Sequence, residues 1–334
     1  MFADSIDALL RDHCTGRTIR AVEGGSDGTG LWSAIGDAGF LELLAPEADG
    51  GAGAPLSELH PVISRLGWHA APVPVAQTIV ARTWLPTGTI GPRDRVTLAT
   101  QGLRLPAAPG RDRLVCANVP FGALADIVLA PAAGGLLLLD ARRATRDRTG
   151  VNGSLAATLS WAPGEASLAI EADPEGLVAF DAAIHASLMA GAMARILAMT
   201  LQYCADRTQF GRPIGKFQVI QHQLAVMAEE TAAAAIAAEL GFCRGTAAPV
   251  LRNAAAAKAR ASEAASTVAS IAHAVHGAIG VTVDHDLQLF TRRLHEWRIH
   301  AGSEAWWHEA LGRSLLDLPG VTALQFVRAM QPGT

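Results

Sequence analysis

Cysteine is scarce in this chain. The four present among 334 residues, Cys14, Cys116, Cys204 and Cys243, are scattered with no CxxC spacing. Disulfide frameworks and zinc sites both need tighter arrangements, so these residues read as reduced thiols in a cytoplasmic protein. A surplus of positive charge is also missing. The net charge is −4, the pI is near 6.3 and no basic block stands out, which argues against nucleic acid as a partner. No apolar run is expected to reach the roughly 18 to 20 residues of a membrane span. The Ala-rich stretch from Thr231 to Ala272 is broken by Glu239, Arg244, Arg252, Lys258, Arg260 and Glu263. Met1 to Arg11 carries acids and no apolar segment, so a signal peptide is not expected. His273, His276, His285, His295, His300 and His308 cluster late in the chain. Their spacings place few of them on one helix face and HExxH is absent, so no metal site is expected.

Half of the residues are hydrophobic, ample for a sizeable core and for two or three domains. Residues 1–91 read as an N-terminal helical domain. Leu31, Ile35, Ala38, Leu41 and Leu44 recur near a 3.6 period. The run Pro46 to Gly53 must be loop, a second helix is predicted over Pro55 to Leu66, and a third follows Pro74. Residues 92–176 change character. Short apolar runs (Val96–Ala99, Arg113–Ala117, Ala125–Ala130, Gly135–Asp140, Leu155–Ala162, Ala166–Ile170) alternate with turn residues, the pattern of a small, shortened antiparallel β domain. Residues 177–334 are helical again. Long helices are predicted over Phe180–Arg207, Lys216–Gly245 and Val250–His276, and a fourth follows Asp284. A loop over Gln209–Gly215 stops the first of them. Long helices with short connections predict an antiparallel four-helix bundle, and a second apolar stripe on each helix predicts an oligomer.

The most distinctive local sequence is Tyr203-Cys204-Ala205-Asp206-Arg207-Thr208-Gln209-Phe210-Gly211-Arg212-Pro213-Ile214, followed by Phe217-Gln218, Gln221 and Leu224-Ala225. Read alone, Arg207 is a solvated cation that suits a helix C-terminus. The whole segment resembles the acyl-CoA dehydrogenase family, in which it reads R-x-x-F-G, a short loop, F-Q, then a helix with L-A. Two further stretches share the resemblance: Trp32, Gly39, Leu44, Pro46-Glu47 and Gly50-Gly51-x-Gly53 near one end, and His276-Gly277-x-x-Gly280 near the other. The resemblance covers nearly the whole chain. It implies a mainly α fold with a small middle β domain, FAD as cofactor, and α,β-dehydrogenation of an acyl-CoA thioester. It assigns Arg207, Gln209, Phe210, Gly211, Gln218, His276, Gly277, Gly280 and Ser303 to cofactor binding. Arg207 and Gln218 would reach the adenosine diphosphate half of a flavin bound to a neighbouring subunit. The chemistry is sensible, because a pyrophosphate takes a guanidinium fork and backbone N–H groups at a helix start.

The departures from the family are as informative. The usual catalytic Glu, just before a Gly-Thr/Ser step, falls on Ala301 in His300-Ala301-Gly302-Ser303-Glu304. A methyl group accepts no proton. Other members carry the base near the start of the first long helix, where this chain has Asp181, Ala182 and Ala183. Asp181 is expected to cap or charge that helix's N-terminus. Glu304, one helical turn past Ala301, is a weak candidate base; its bland reading is a first-turn surface acid. The Gln expected two residues after Ser303 is Ala305. The family's Trp-Ile/Val-Thr/Ser flavin wall and Thr-Glu-Pro loop are missing; Cys116 to Gly122 stands at that place. Trp161 is read as core or interface, and Trp297, Trp306 and Trp307 as packing at the bundle end. The combination resembles the short, base-lacking subunit of heterotetrameric acyl-CoA dehydrogenases of the steroid side-chain type. That implies FAD shared across an interface, a longer dehydrogenase paralogue carrying the catalytic Glu, an acyl-CoA substrate and electron-transfer flavoprotein as acceptor. The alternatives are a self-sufficient homomeric enzyme with a relocated base and a non-enzymatic scaffold.

Overall fold

The computed structural model describes residues 1–101, 103–104, 113–162, 165, 167–243 and 248–330. The N-terminal part holds α1 (Phe2–His13), α2 (Gly16–Glu23), α3 (Thr29–Asp37), α4 (Leu59–Trp68) and α5 (Val75–Trp84). The helix expected to run to Leu44 stops at Asp37. Gly39 follows with a φ of 76°, the left-handed conformation that glycine adopts without penalty.

The middle part is two stacked sheets. One has the order β1 (Val96–Leu98), β4 (Ile127–Ala132), β5 (Gly135–Asp140), β8 (Ser167–Ile170). The other has β2 (Leu103–Arg104), β3 (Leu114–Val119), β7 (Ala157–Trp161), β6 (Thr145–Arg148). One pairing departs from the antiparallel expectation: β1 runs parallel to β4, with Val96 opposite Ile127. Ala166, placed at a strand start by the sequence, lies outside the described residues. Val128, Ala130 and Leu139 pack on Cys116, Leu159 and Trp161 between the sheets, while Ile127, Leu129 and Leu136 join the helical core on the other face. The first sheet is therefore buried on both faces, which is why β4 opens with four consecutive apolar residues instead of an alternating pattern. Trp161 is core, its Nε1 donating to the Asp140 carbonyl at 2.8 Å.

The C-terminal part holds α6 (Pro174–Asp206), the two-residue strands β9 (Thr208–Gln209) and β10 (Arg212–Pro213), then α7 (Gln218–Leu240), α8 (Leu251–His276), α9 (Leu287–Ile299), α10 (Glu304–Leu316) and α11 (Ala323–Arg328). Helix α7 stops at Leu240; part of its expected end, Arg244 and Gly245, lies outside the described residues. Helix α6 begins six residues earlier than its periodicity suggests. The Asp173 carboxylate accepts from the Glu175 and Gly176 amides at 3.0 and 3.1 Å, and Pro174 presets φ at the first helical position. Asp173, not Asp181, is thus the N-terminal cap. From Leu177 to Met193 nearly every α6 residue is buried; beyond it only Ile196, Thr200 and Cys204 are, a single stripe at a spacing of four. Glycines let α4 approach: a Cβ at Gly191 would overlap the Ser64 carbonyl oxygen, and one at Gly67 would overlap that of Leu188.

By length and composition α6 and the segment Leu251–Val281 do meet the criteria for crossing a membrane, contrary to the sequence expectation. Helix α6 meets them because its mean hydropathy outweighs Asp181, His185 and Arg195. Its apolar window is mostly buried inside the fold, as in the core helix of a helical bundle.

The three parts are pinned together at Glu23. Its carboxylate meets Arg292 at 2.8 Å and Arg293 at 3.2 Å on α9, its carbonyl accepts from Arg148 of β6 at 3.1 Å, and Arg292 also donates to the Asn152 carbonyl.

Candidate functional site

A cleft of about 200 Å³ opens where the sheets meet the bundle. Its walls are the segment after β1 (Thr100, Gln101), the β3 segment around Asn118, Asp181 of α6, and the α9–α10 turn at His300 and Ala301. The β3–β7 register shifts between Cys116 and Val119, and Asn118 takes a φ of 52°; this irregularity turns Asn118 toward the cleft.

Asp181 lies in the third turn of α6 and is 2% exposed. The Thr100 hydroxyl donates to its carboxylate. One turn on, His185 Nδ1 stands 2.9 Å from the Asp181 carbonyl oxygen and 3.1 Å from its Oδ1. The carbonyl takes the hydrogen bond, which leaves Oδ1 without a hydrogen-bond partner among the described residues. The His300 ring stands edge-on to His185 at 5.8 Å between centroids, with both its nitrogens lacking a hydrogen-bond partner among the described residues. Burial, and then the nearby His185 and Lys258, hold the His300 pKa well below its usual value.

Lys258 is fully buried on α8. Its Nζ donates to Ser262 Oγ at 2.9 Å and to the carbonyls of Arg298 and Gly302 at 2.9 and 2.7 Å. Burial pushes its pKa down to about 7, against the pull of Asp181 and Glu304. The two bonds to carbonyls hold the turn that presents Ala301. Ala301 has a φ of 53°, and its carbonyl accepts from Trp307 Nε1 at 2.7 Å. At the position where the family resemblance expects a carboxylate, the cleft wall is a methyl group.

Glu304 opens α10 and does not line this cleft. Its two oxygens lie 3.1 and 3.0 Å from Arg298 Nε, and Arg298 Nη2 also donates to it. The Arg298 guanidinium holds the Glu304 carboxyl below the usual carboxylate range. Ser303 is the N-cap of α10, its Oγ accepting from the Trp306 amide at 3.4 Å. Trp297 and Trp307 are buried at this end of the bundle, while Trp306 is 46% exposed.

The remaining predicted cofactor residues gather elsewhere. Phe210 and Gly211, with φ of 50° and 81°, make the tight turn between β9 and β10, a two-residue hairpin of the kind that needs positive φ at both positions. The turn throws Phe210 into solvent, 91% exposed. Arg207, Gln209 and Gln218 are exposed beside it, and Arg207 has no side-chain hydrogen bond or ion pair among the described residues. Tyr203 stacks on His276 at 4.4 Å and ties the hairpin to the end of α8, where Gly277 turns the chain with a φ of 65° and a Cβ at Gly280 would crowd His276 and Leu287. Arg207 to Gln218 and His276 to Gly280 therefore form one surface. The Ala301 cleft is a separate one: Lys258 and His276 are 18 residues apart on α8, roughly 27 Å along its axis.

Sequence reasoning missed His300 on the cleft wall and the buried Lys258 and His185 behind it, and gave Asp181 a capping role. The Asp173-Pro174 step, a recognisable helix start, was the available signal for placing Asp181 two turns inside the helix.

Helices, a two-sheet middle and a bundle of long helices, with a cleft at their junction, define an acyl-CoA dehydrogenase-type fold. Residues 177–316 match the family model described as acyl-CoA dehydrogenase, C-terminal domain. The chain is 32% identical over 300 residues to the acyl-CoA dehydrogenase IpdE2 of Mycobacterium tuberculosis, covering 88% of this chain and 90% of IpdE2. It is similar to a solved variant of the Tcur3481-Tcur3483 steroid ACAD, with a TM-score of 0.81 and 27% identity over 95% of this chain and 97% of the other. The ChsE4-ChsE5 complex from Mycobacterium tuberculosis shares the fold, with a TM-score of 0.82 and 24% identity over 96% of this chain and 97% of that one. This chain belongs to the acyl-CoA dehydrogenase family.

Proposed function

We propose that this chain is the base-lacking subunit of a heteromeric, FAD-dependent acyl-CoA dehydrogenase, and that its Arg207–Gln218 surface completes the flavin site of a longer paralogue carrying the catalytic Glu. One observation carries this reading: the cleft wall at the family's base position is the Ala301 methyl, while the nearby Glu304 carboxylate is turned into Arg298. The similarity to a steroid ACAD and to a two-component complex supports it, and suggests an acyl-CoA with a steroid-derived acyl group as substrate; electron-transfer flavoprotein is the acceptor that the family resemblance implies.

FAD fits the two surfaces unequally. The hairpin surface offers an unpaired guanidinium at Arg207, the exposed amides of Gln209 and Gln218, and the N–H groups of the first turn of α7, a donor set suited to a diphosphate. The Ala301 cleft, at about 200 Å³, is below the roughly 300 to 1,000 Å³ of pockets that bury a drug-sized ligand. The isoalloxazine end does not fit that volume. When bound, FAD supplies the acceptor for the hydride leaving the thioester's β carbon. Arg207 and Gln218 bind and orient the dinucleotide half. Lys258 fixes the turn that closes this chain's own cleft, and proton removal falls to the partner's Glu.

The test is Arg207→Ala in the co-expressed complex. The reading expects the flavin stoichiometry to fall several-fold with the subunits still associated. Unchanged flavin content would remove Arg207 from the site. A second reading, a self-sufficient enzyme, is favoured by one observation: Asp181 is a carboxylate on the cleft wall. It requires the chain alone to bind flavin and to lose turnover in Asp181→Asn.

A further inference from the structure

A second cavity, of about 460 Å³, lies between α1, α2, α4, α6 and α9. Its volume is in the range of small-ligand pockets. Arg195 of α6 lines it. The guanidinium sits between two aromatic rings, 5.5 Å from the centroid of Trp68 and 6.0 Å from that of Phe290. It has no hydrogen bond or ion pair among the described residues. Arg65 stands over Trp68 as well, at 5.9 Å. Its nearest carboxylate is Asp7 at 3.9 Å, and Asp7 is already engaged by Arg11 at 2.6 Å and His69 at 3.0 Å. The other acid of the lining, Asp286, is paired with Arg20 at 2.7 Å, which does not line the cavity.

The charges in the cavity therefore do not cancel. Both carboxylates have close cationic partners, and Arg195 and Arg65 are left over. Aromatic faces stabilise a guanidinium but leave its N–H edge free, and five in-plane donors on such an edge match a planar or tetrahedral oxyanion. Ile19, Trp68, Leu289 and Phe290 supply the apolar part of the wall, beside Thr15 and His69.

We propose that this cavity binds a small organic anion, its carboxylate or phosphate oxygens on Arg195 and Arg65 and its body against Trp68 and Phe290. The site is independent of the flavin surface, so its occupancy is read without turnover. The experiment is isothermal titration of the full chain, with its partner subunit where the complex forms, using succinate and inorganic pyrophosphate at low ionic strength and chloride at matched ionic strength as the control. Saturable binding of either probe at sub-millimolar concentration is expected; which one binds separates a carboxylate ligand from a phosphate ligand. Arg195→Gln is expected to weaken binding at least tenfold, and Arg195→Lys to restore part of it. Asp7→Asn removes the competing carboxylate and is expected to tighten binding; if Arg195→Gln does not fold, this variant and Arg65→Gln carry the test. Absence of saturable binding by both probes, an equal effect of chloride, or weaker binding in Asp7→Asn would overturn the proposal.

Discussion

Lys258 Nζ donates to the Gly302 carbonyl at 2.7 Å, one residue past Ala301, and to the Arg298 carbonyl at 2.9 Å on the other side of the same turn. One buried amine thus fixes the segment in which the family places its base. Lys258→Met keeps the length and removes the donors, leaving two carbonyls and Ser262 short of a partner. Truncating one member of a buried polar set costs about 2 to 4 kcal/mol. Urea denaturation at neutral pH measures this loss directly.

The same residue sets a pH dependence. Its folded pKa, about 7, lies below the ordinary lysine value of 10.5, so the unfolded chain binds the extra proton between those values. The Lys258 contribution to stability therefore rises with pH from about 7 to about 10.5 and is flat below. Burial raises Cys14 and Cys116 to about 12, which opposes this trend above pH 9. The informative quantity is the difference between wild type and Lys258→Met at pH 7 and pH 9.5, in which the cysteine contribution cancels. The gap in urea midpoint is expected to widen at the higher pH.

On the acid side, burial depresses His300 well below its usual value and takes His60, which bonds Ser187 at 2.8 Å, down to about 4. Both are neutral when folded and protonated when unfolded as pH falls below about 6.5, so stability drops between pH 6.5 and 5. His300→Gln is expected to flatten part of that slope in urea midpoints measured across the range.

Much of this arrangement was legible in the sequence, for identifiable reasons. Gly135–Asp140 is a strand bounded by glycine and by the cap at Asp140, and both ends were readable. The Phe210-Gly211 turn stops α6 where the glycine and the following proline said it must. The parallel pairing of β1 with β4 was not readable, because it depends on how the sheets stack on the helices. Lys258 was visible only as a break in an Ala-rich run. Its burial comes from three helices converging on it, and no local periodicity encodes that. Asp181 was misplaced because the periodic signal begins at Phe180, whereas the helix begins at its cap, Asp173.

Glu304 and Asp181 separate the readings of the active complex. Glu304→Gln loses an ion pair with a partly exposed Arg298, worth about 1 kcal/mol at most, and turnover of the complex is expected to stay within twofold of wild type. Asp181→Asn keeps the shape of the Thr100 contact and is likewise expected to leave turnover in place. A hundredfold loss in either variant would assign that carboxylate a catalytic role.

The most direct measurement compares flavin absorbance and acyl-CoA oxidation for this chain purified alone and co-purified with a longer dehydrogenase paralogue. The account predicts a colourless, inactive chain alone and a yellow, active complex whose turnover disappears when the partner's Glu is changed to Gln. A chain that purifies yellow by itself and oxidises an acyl-CoA would contradict it.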